Sequence, residues 1–295
     1  MTALDRGFLL LTSHLGDPGR KVLTVAQFRE LTRRARQMEK PTELRDLTEE
    51  DLMAIGCDRS FSGRVLELFG GEEQLDWYLE QSQKQGCFPI TRVNELYPPR
   101  VRTCLDTEAP GCLWAKGDLS LLSMPIIGLV GSREPNPENA AFAEEVGKQA
   151  ALQGYALVSG NARGADRTAQ ESCLAHGGSV ICVVADELHK APAEPKLLSL
   201  SEDGFDLRFS SIRALSRNRI IHSLAEKVFV AQCTFGRGGT WDGATRNLKH
   251  SWSSVCCFED GSAASKELIQ RGAAAVTLHD LSQLQALGPT PVTLF

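Results

Sequence analysis

The stretch Ile126-Ile127-Gly128-Leu129-Val130-Gly131-Ser132-Arg133 decides the fold. A short apolar run ends on a glycine, and a helix-period segment at 138–153 follows. The same grammar recurs downstream. An apolar run at 155–158 leads into Ser159-Gly160-Asn161-Ala162-Arg163-Gly164-Ala165-Asp166 and a helical segment at 166–176. Further strand-like runs at 180–185, 227–231, 254–258 and 274–278 are interleaved with helical segments at 241–250 and 263–270. Fully apolar strands alternating with helices predict a mostly parallel sheet covered on both faces. The expected fold class is therefore α/β, with an extended Rossmann-like doubly wound domain over 126–287. In such sheets the ligand lies beyond the carboxyl ends of the strands, which directs attention to the loops there.

Upstream, residues 1–84 read as a small all-helical domain. An apolar stripe opens the chain at 8–14. Gly16-Asp17-Pro18-Gly19, Gly56 and Gly70-Gly71 punctuate the segment, and Thr24 with Gln27 has the spacing of a capping box. The pattern resembles SAM-like or helix-hairpin-helix modules, which bind DNA backbones in some proteins and only pack in others. Residues 85–125 read as a connector rich in Pro and Gly, with a short edge strand expected at 112–116. Residues 288–295 read as an extended tail.

The 295 residues are 42% hydrophobic and 23% charged, which excludes a disordered chain, a fibre and a disulfide-dense mini-protein. No apolar run approaches the ~20 residues of a membrane span, and no signal-peptide pattern opens the chain. The nine cysteines are odd in number and lack C-x-x-C spacing, so free buried thiols and a cytoplasmic location are expected, with no metal site. The formal charge of −5 excludes a surface coated in basic charge. A polyanion would have to be held by a local patch.

Four loops carry candidate chemistry. Gly131-Ser132-Arg133 offers close backbone approach, a hydroxyl and a forked cation, all suited to phosphate; a plain turn with a solvated arginine is the competing reading. The segment from Ser159 and Gly160 through Asn161, Arg163 and Gly164 to Asp166 precedes a helix whose N-terminus favours an anion, and Asp166 is expected to cap that helix. It does not match G-x-G-x-x-G, so no dinucleotide cofactor is expected. Residues 205–222 place Arg208, Arg213, Arg217 and Arg219 against one Asp206, with Phe205 and Phe209 interleaved. That composition clamps a phosphate backbone and stacks a base, or else forms a solvated face. Phe235-Gly236-Arg237-Gly238-Gly239-Thr240 repeats the phosphate-loop logic, with Thr240 expected as the helix N-cap.

In this order, Gly131-Ser132-Arg133, Ser159-Gly160-x-Ala162-Arg163-Gly164-x-Asp166 and Arg217-Asn218-Arg219-Ile220-Ile221 resemble the DprA/Smf family of DNA-processing proteins. Leu113-x-x-Lys116-Gly117-Asp118-x-x-Leu121-Leu122, Tyr97-Pro98 and the opening Leu10-Leu11-Thr12-Ser13-x-Leu15-Gly16-Asp17 add to the likeness, which spans about residues 5–280. The resemblance implies a single-stranded DNA-binding protein that loads a RecA-type recombinase during natural transformation, without catalytic residues, and a possible homodimer. It also implies that Arg133, Arg163, Arg217 and Arg219 hold phosphate; Asn218, from the same motif, and Arg237, from the fourth loop, are counted with them as candidate DNA- or phosphate-binding residues. The sequence departs from the family pattern at Gln170, Asn161 and Gln232, at 186–192, and in having no winged-helix segment within its 295 residues. Leu294-Phe295 resembles a sliding-clamp docking peptide but lacks the usual Gln. Two other readings use the same pocket. One is a nucleotide sensor. The other is a nucleoside-monophosphate phosphoribohydrolase, for which Gly243 stands where a glutamate is needed.

Overall fold

A computed structural model describes residues 1–38, 46–202 and 204–288; Leu294-Phe295 and the rest of the expected tail beyond 288 lie outside the described residues. The helical segment contains α1 (Ala3–Thr12), α2 (Val25–Ala35), α3 (Glu49–Ala54), α4 (Arg59–Phe69) and α5 (Glu72–Lys84). Capping boxes start three of them: Thr2 with Asp5, Thr24 with Gln27 and Thr48 with Asp51. Each satisfies two donors that a helix start otherwise leaves open.

The rest of the chain runs β1 (Phe88–Thr91), α6 (Pro99–Leu105), β2 (Cys112–Gly117), β3 (Ile126–Val130), α7 (Pro137–Leu152), β4 (Ala156–Ser159), α8 (Ala165–Ala175), β5 (Ser179–Val183), β6 (Leu197–Glu202), α9 (Ser211–Ser216), α10 (Asn218–Leu224), β7 (Lys227–Val230), α11 (Gly239–His250), β8 (Ser254–Phe258), α12 (Ala263–Gln270) and β9 (Ala274–Val276). The strands form one sheet in the order β1-β2-β6-β5-β4-β3-β7-β8-β9. Pairing is parallel from β6 through β9 and antiparallel between β1 and β2 and between β2 and β6.

Alternation distributes each strand between two cores. Ile127, Leu129 and Leu157 join α7 and α8, represented by Phe142, Val146 and Cys173, on one face. Ile126, Val130 and Val158 join Val101, Ile221, Ala244 and Leu268 of α6, α10, α11 and α12 on the other. The first face also receives the N-terminal helices. Leu9 and Leu10 of α1 and Leu75 and Tyr78 of α5 cluster with Trp114 and Phe205, while Phe8 and Leu11 of α1 turn to a separate helical core with Phe28, Leu31, Leu52 and Val65. Tyr78 also donates to Asp206 at 2.7 Å.

Several expectations need correcting. The strand at 112–117 is interior, not an edge: β1 covers it on one side and β6 on the other. Neither β1 nor β6 is read from the sequence pattern, and α6, α9 and α10 are also missed. Asp166 is not the cap of α8. Gly164 holds that position at φ +87°, with the Cβ of any other residue there falling 2.5 Å from the Arg133 carbonyl. Thr240 does not cap α11 either; Gly238 precedes it, and the Thr240 hydroxyl donates to the Gly131 carbonyl at 3.0 Å. No two of the nine cysteines are joined in a disulfide; seven are buried and Cys104 and Cys233 partly so.

Candidate nucleic-acid interface

β3 is followed by β4 on one side of the sheet and has β7 on the other, so the chain's winding reverses between β3 and β7. A cavity of about 490 Å³ opens at that point, beyond the carboxyl ends of both strands. Gly131, Ser132 and Arg133 form its β3 side, Phe209, Leu215, Arg217 and Asn218 a second wall, and the segment 237–240 at the start of α11 a third.

The two charged residues deepest in this region, Asp166 and Arg217, are committed to the protein itself. Asp166 is 5% exposed and its Oδ2 accepts from the amides of Gly160 and Ala162 at 3.0 and 3.4 Å, with the Gly131 amide also bonded to the carboxylate. It thereby ties the β3 loop to the β4 loop. Burial pushes its pKa up, against the opposing pull of Arg217 and the three amides. Arg217, 8% exposed, donates to the carbonyls of Gly160 and Val183, which joins the β4 loop to the end of β5. Burial pulls its pKa down and the nearby Asp166 carboxylate opposes that. Gly160 is required here: a Cβ would sit 2.3 Å from the Arg217 guanidinium.

Other expected phosphate ligands are occupied or remote. Ser159 is fully buried and accepts from Gln170 at 2.5 Å, so Gln170 serves the strand end. Arg163 pairs with Glu134 on the surface. Arg219 is bidentate to Glu202 and does not line the cavity; neither do Ser159, Gly160, Asn161, Arg163 or Gly164. Arg213 donates to the carbonyls of Ala185, Leu207 and Arg208. Phe205 is buried against Tyr78 and Trp114 and has no face to offer a base. Gln232 accepts from the Asn136 amide at 2.9 Å.

What remains is specific. Arg133 and Arg237 line the cavity, are exposed, and make no ion pair among the described residues. The first residues of α11 line it with no side-chain cap, so a helix N-terminus contributes its field there. Phe209, 54% exposed, and Leu215 add apolar surface at the rim. Cations, amides and an exposed ring at one opening suit an anion that carries a flat apolar group. Asp166 is the lone carboxylate among the lining residues, and its bonds to amides leave no acid–base pair. Gly243 is buried with its Cβ direction 2.8 Å from His222 Nε2, away from the cavity.

A family model described as DNA recombination-mediator protein A matches residues 89–286. The chain belongs to this family. Within the recombination-mediator family, the DNA processing protein DprA of Streptococcus pneumoniae is 31% identical over 215 residues, 67% of this chain and 73% of that relative. The X-ray structure of DprA from the same species superposes with a TM-score of 0.72 at 25% identity, covering 95% of this chain and 98% of that one. The structure of DNA processing protein A from Helicobacter pylori, described for its single-stranded DNA binding mode, shares the fold at 22% identity and a TM-score of 0.56, over 67% of this chain and 93% of that one. No helix among the described residues is long and apolar enough to cross a membrane.

Proposed function

We propose that this protein binds single-stranded DNA at the β3–β7 cavity, without catalysing a reaction on it, and presents the strand to a RecA-type recombinase. The observation that carries the reading is the pair Arg133 and Arg237, exposed and unpaired among the described residues at the mouth of a cavity lined by the α11 N-terminus. A net charge of −5 leaves such a patch as the place where a polyanion is attracted. Arginine forks bridge phosphate oxygens, and Phe209 offers a face that unpaired bases can reach and stacked base pairs cannot. Asn218 is the one side-chain amide among the lining residues, and it donates to the Gly239 carbonyl, so weak sequence preference is expected. The name of the Helicobacter relative, which refers to single-stranded DNA, supports the same reading.

A mononucleotide sensor is the second reading, favoured by a cavity of about 490 Å³, within the span of ordinary small-ligand sites. Fluorescence anisotropy with a single-stranded dT20, its duplex and unlabelled nucleoside monophosphates separates the two. Tight dT20 binding, weaker duplex binding and no competition by monophosphates at equal phosphate concentration is the expected result. Saturable monophosphate binding with no oligonucleotide binding overturns it. Stimulation of recombinase filament formation on protein-coated strands tests the second step.

A further inference from the structure

Beside the cavity, a tight turn carries an aromatic residue that the phosphate pocket does not use. Arg237 N donates to the Thr234 carbonyl at 3.3 Å, and these two residues also form a β-bridge, so Phe235 and Gly236 occupy the turn's tip. Phe235 is 55% exposed. Its ring is not loose: Trp241, on the first turn of α11, meets it edge to face, with centroids 5.1 Å apart and planes at 63°. The Arg271 guanidinium in turn lies 5.6 Å over the Trp241 ring. The result is a stack in which Arg271 backs Trp241, Trp241 orients Phe235, and Phe235 shows much of its surface to solvent.

Exposing a phenylalanine at a turn is unfavourable for the free protein, and burying it against a ligand regains that free energy. The neighbours on either side indicate the ligand. Thr234 and Arg237, the two ends of the turn, both line the cavity. The Phe235 ring therefore lies beside the cavity, on the turn whose two ends line it. We propose that Phe235, held by Trp241 and Arg271, is a base-stacking platform for the nucleotide adjoining the phosphate bound in the pocket, and so sets the side on which a single strand leaves the site. The proposal rests on the single-stranded DNA reading and adds a residue to it. A base suits the ring because its flat face stacks whatever its identity. A protein partner docking on Phe235 is the competing occupant, and it does not call for a cation pocket next door.

The test uses the full chain with two single-stranded probes of equal length: dT12 and a twelve-unit abasic deoxyribose-phosphate strand. The unmodified protein is expected to bind dT12 more tightly than the abasic strand. Phe235→Ala weakens dT12 binding about 5- to 150-fold, the effect of losing one base stack, and leaves abasic binding unchanged. Phe235→Trp keeps dT12 affinity, and Trp241→Ala mimics Phe235→Ala in part by freeing the ring. Arg133→Glu weakens both probes, which marks the pocket separately from the platform. If Phe235→Ala changes both probes equally, or neither, the platform is overturned while the pocket stands. If the unmodified protein binds neither probe, the DNA reading falls and the platform with it.

Discussion

Arg219 donates from Nη2 and Nη1 to Oε2 and Oε1 of Glu202, at 2.7 and 3.1 Å; the Glu202 side chain is buried at 5% exposure and that of Arg219 partly so at 14%. The same guanidinium donates to the Ser216 and Glu108 carbonyls. A motif that reads as a phosphate clamp is in this half a lock between α10 and the end of β6.

The first prediction follows from that lock. Arg219→Glu sets two carboxylates together inside the protein and leaves the Ser216 and Glu108 carbonyls without this donor. Breaking a fully buried pair costs on the order of 3–5 kcal/mol, and with Arg219 partly exposed the loss falls towards the lower end of that range. A thermal melt is expected to show a Tm lowered by well over 5 °C, with oligonucleotide affinity of the still-folded protein below that Tm nearly unchanged. A variant that melts like the parent yet loses DNA affinity returns Arg219 to the binding site.

Gly160→Ala is expected to disturb the loops from the inside. Its Cβ meets the Arg217 guanidinium at 2.3 Å, and that group cannot simply swing away without abandoning the Gly160 and Val183 carbonyls. Overpacking of this kind costs about 1–3 kcal/mol. Both Tm and oligonucleotide affinity fall, because Arg217 holds the wall of the cavity. An Ala variant equal to the parent in both measurements removes Arg217 from this positioning role.

How much of this was legible follows from where each signal lives. The β3, β4, β7 and β8 strands are continuous apolar runs followed by glycine loops, and a run buried on both faces is visible in one dimension. β6, Leu197–Glu202, alternates Leu with Ser because its polar side chains are buried too: Ser199 and Ser201 are 2% and 0% exposed. Alternation of that kind mimics a solvated strand or loop. Arginines cluster in sequence at 208–219, yet Arg213, Arg217 and Arg219 each find carbonyls or a carboxylate from distant segments. No local pattern separates a cation held by the fold from one left for a ligand. Arg133 and Arg237 make no ion pair among the described residues, Glu134 beside Arg133 being engaged by Arg163, which is why the site survives there. Phe205 is kept from the site by contact with Tyr78 and Trp114, 127 and 91 positions upstream in the chain.

Acid should unfold the protein in part through His222. Its ring is fully buried, Nδ1 meets the Asn247 amide at 2.9 Å, and Nε2 has no hydrogen-bond partner. An amide nitrogen is a donor, so Nδ1 accepts and the ring is neutral; burial lowers its pKa to about 3. The folded state therefore binds this proton less readily than the unfolded chain, whose histidine titrates near the ordinary 6.5. The contribution to stability is complete above about pH 6.5 and is lost progressively as pH falls towards 3, reaching about 2 kcal/mol by pH 5. Melts of the parent and of His222→Gln between pH 7.5 and 4.5 check this. The expected variant is less stable at pH 7.5 but loses less on acidification. Parallel pH profiles for the two proteins would remove His222 from the account.

The salt dependence of binding counts the cations that meet phosphate. Each contact on a single strand contributes about −0.7 to the slope of log affinity against log salt. Reading every arginine of 133–219 as a ligand gives a steep slope, but Arg217 and Arg219 are held internally and Arg163 is paired with Glu134. Arg133 and Arg237 remain, and backbone amides at α11 displace no counterion, so a slope of about −1.4 is expected. Arg133→Gln and Arg237→Gln, each made singly, should weaken dT20 binding and flatten the slope to about −0.7; the double variant should bind with almost no salt dependence. Both residues are exposed, so Tm is expected to stay within a degree or two of the parent. A steeper parental slope that survives the double substitution would locate the phosphate contacts elsewhere on the surface, with Arg208 the first neighbour to substitute.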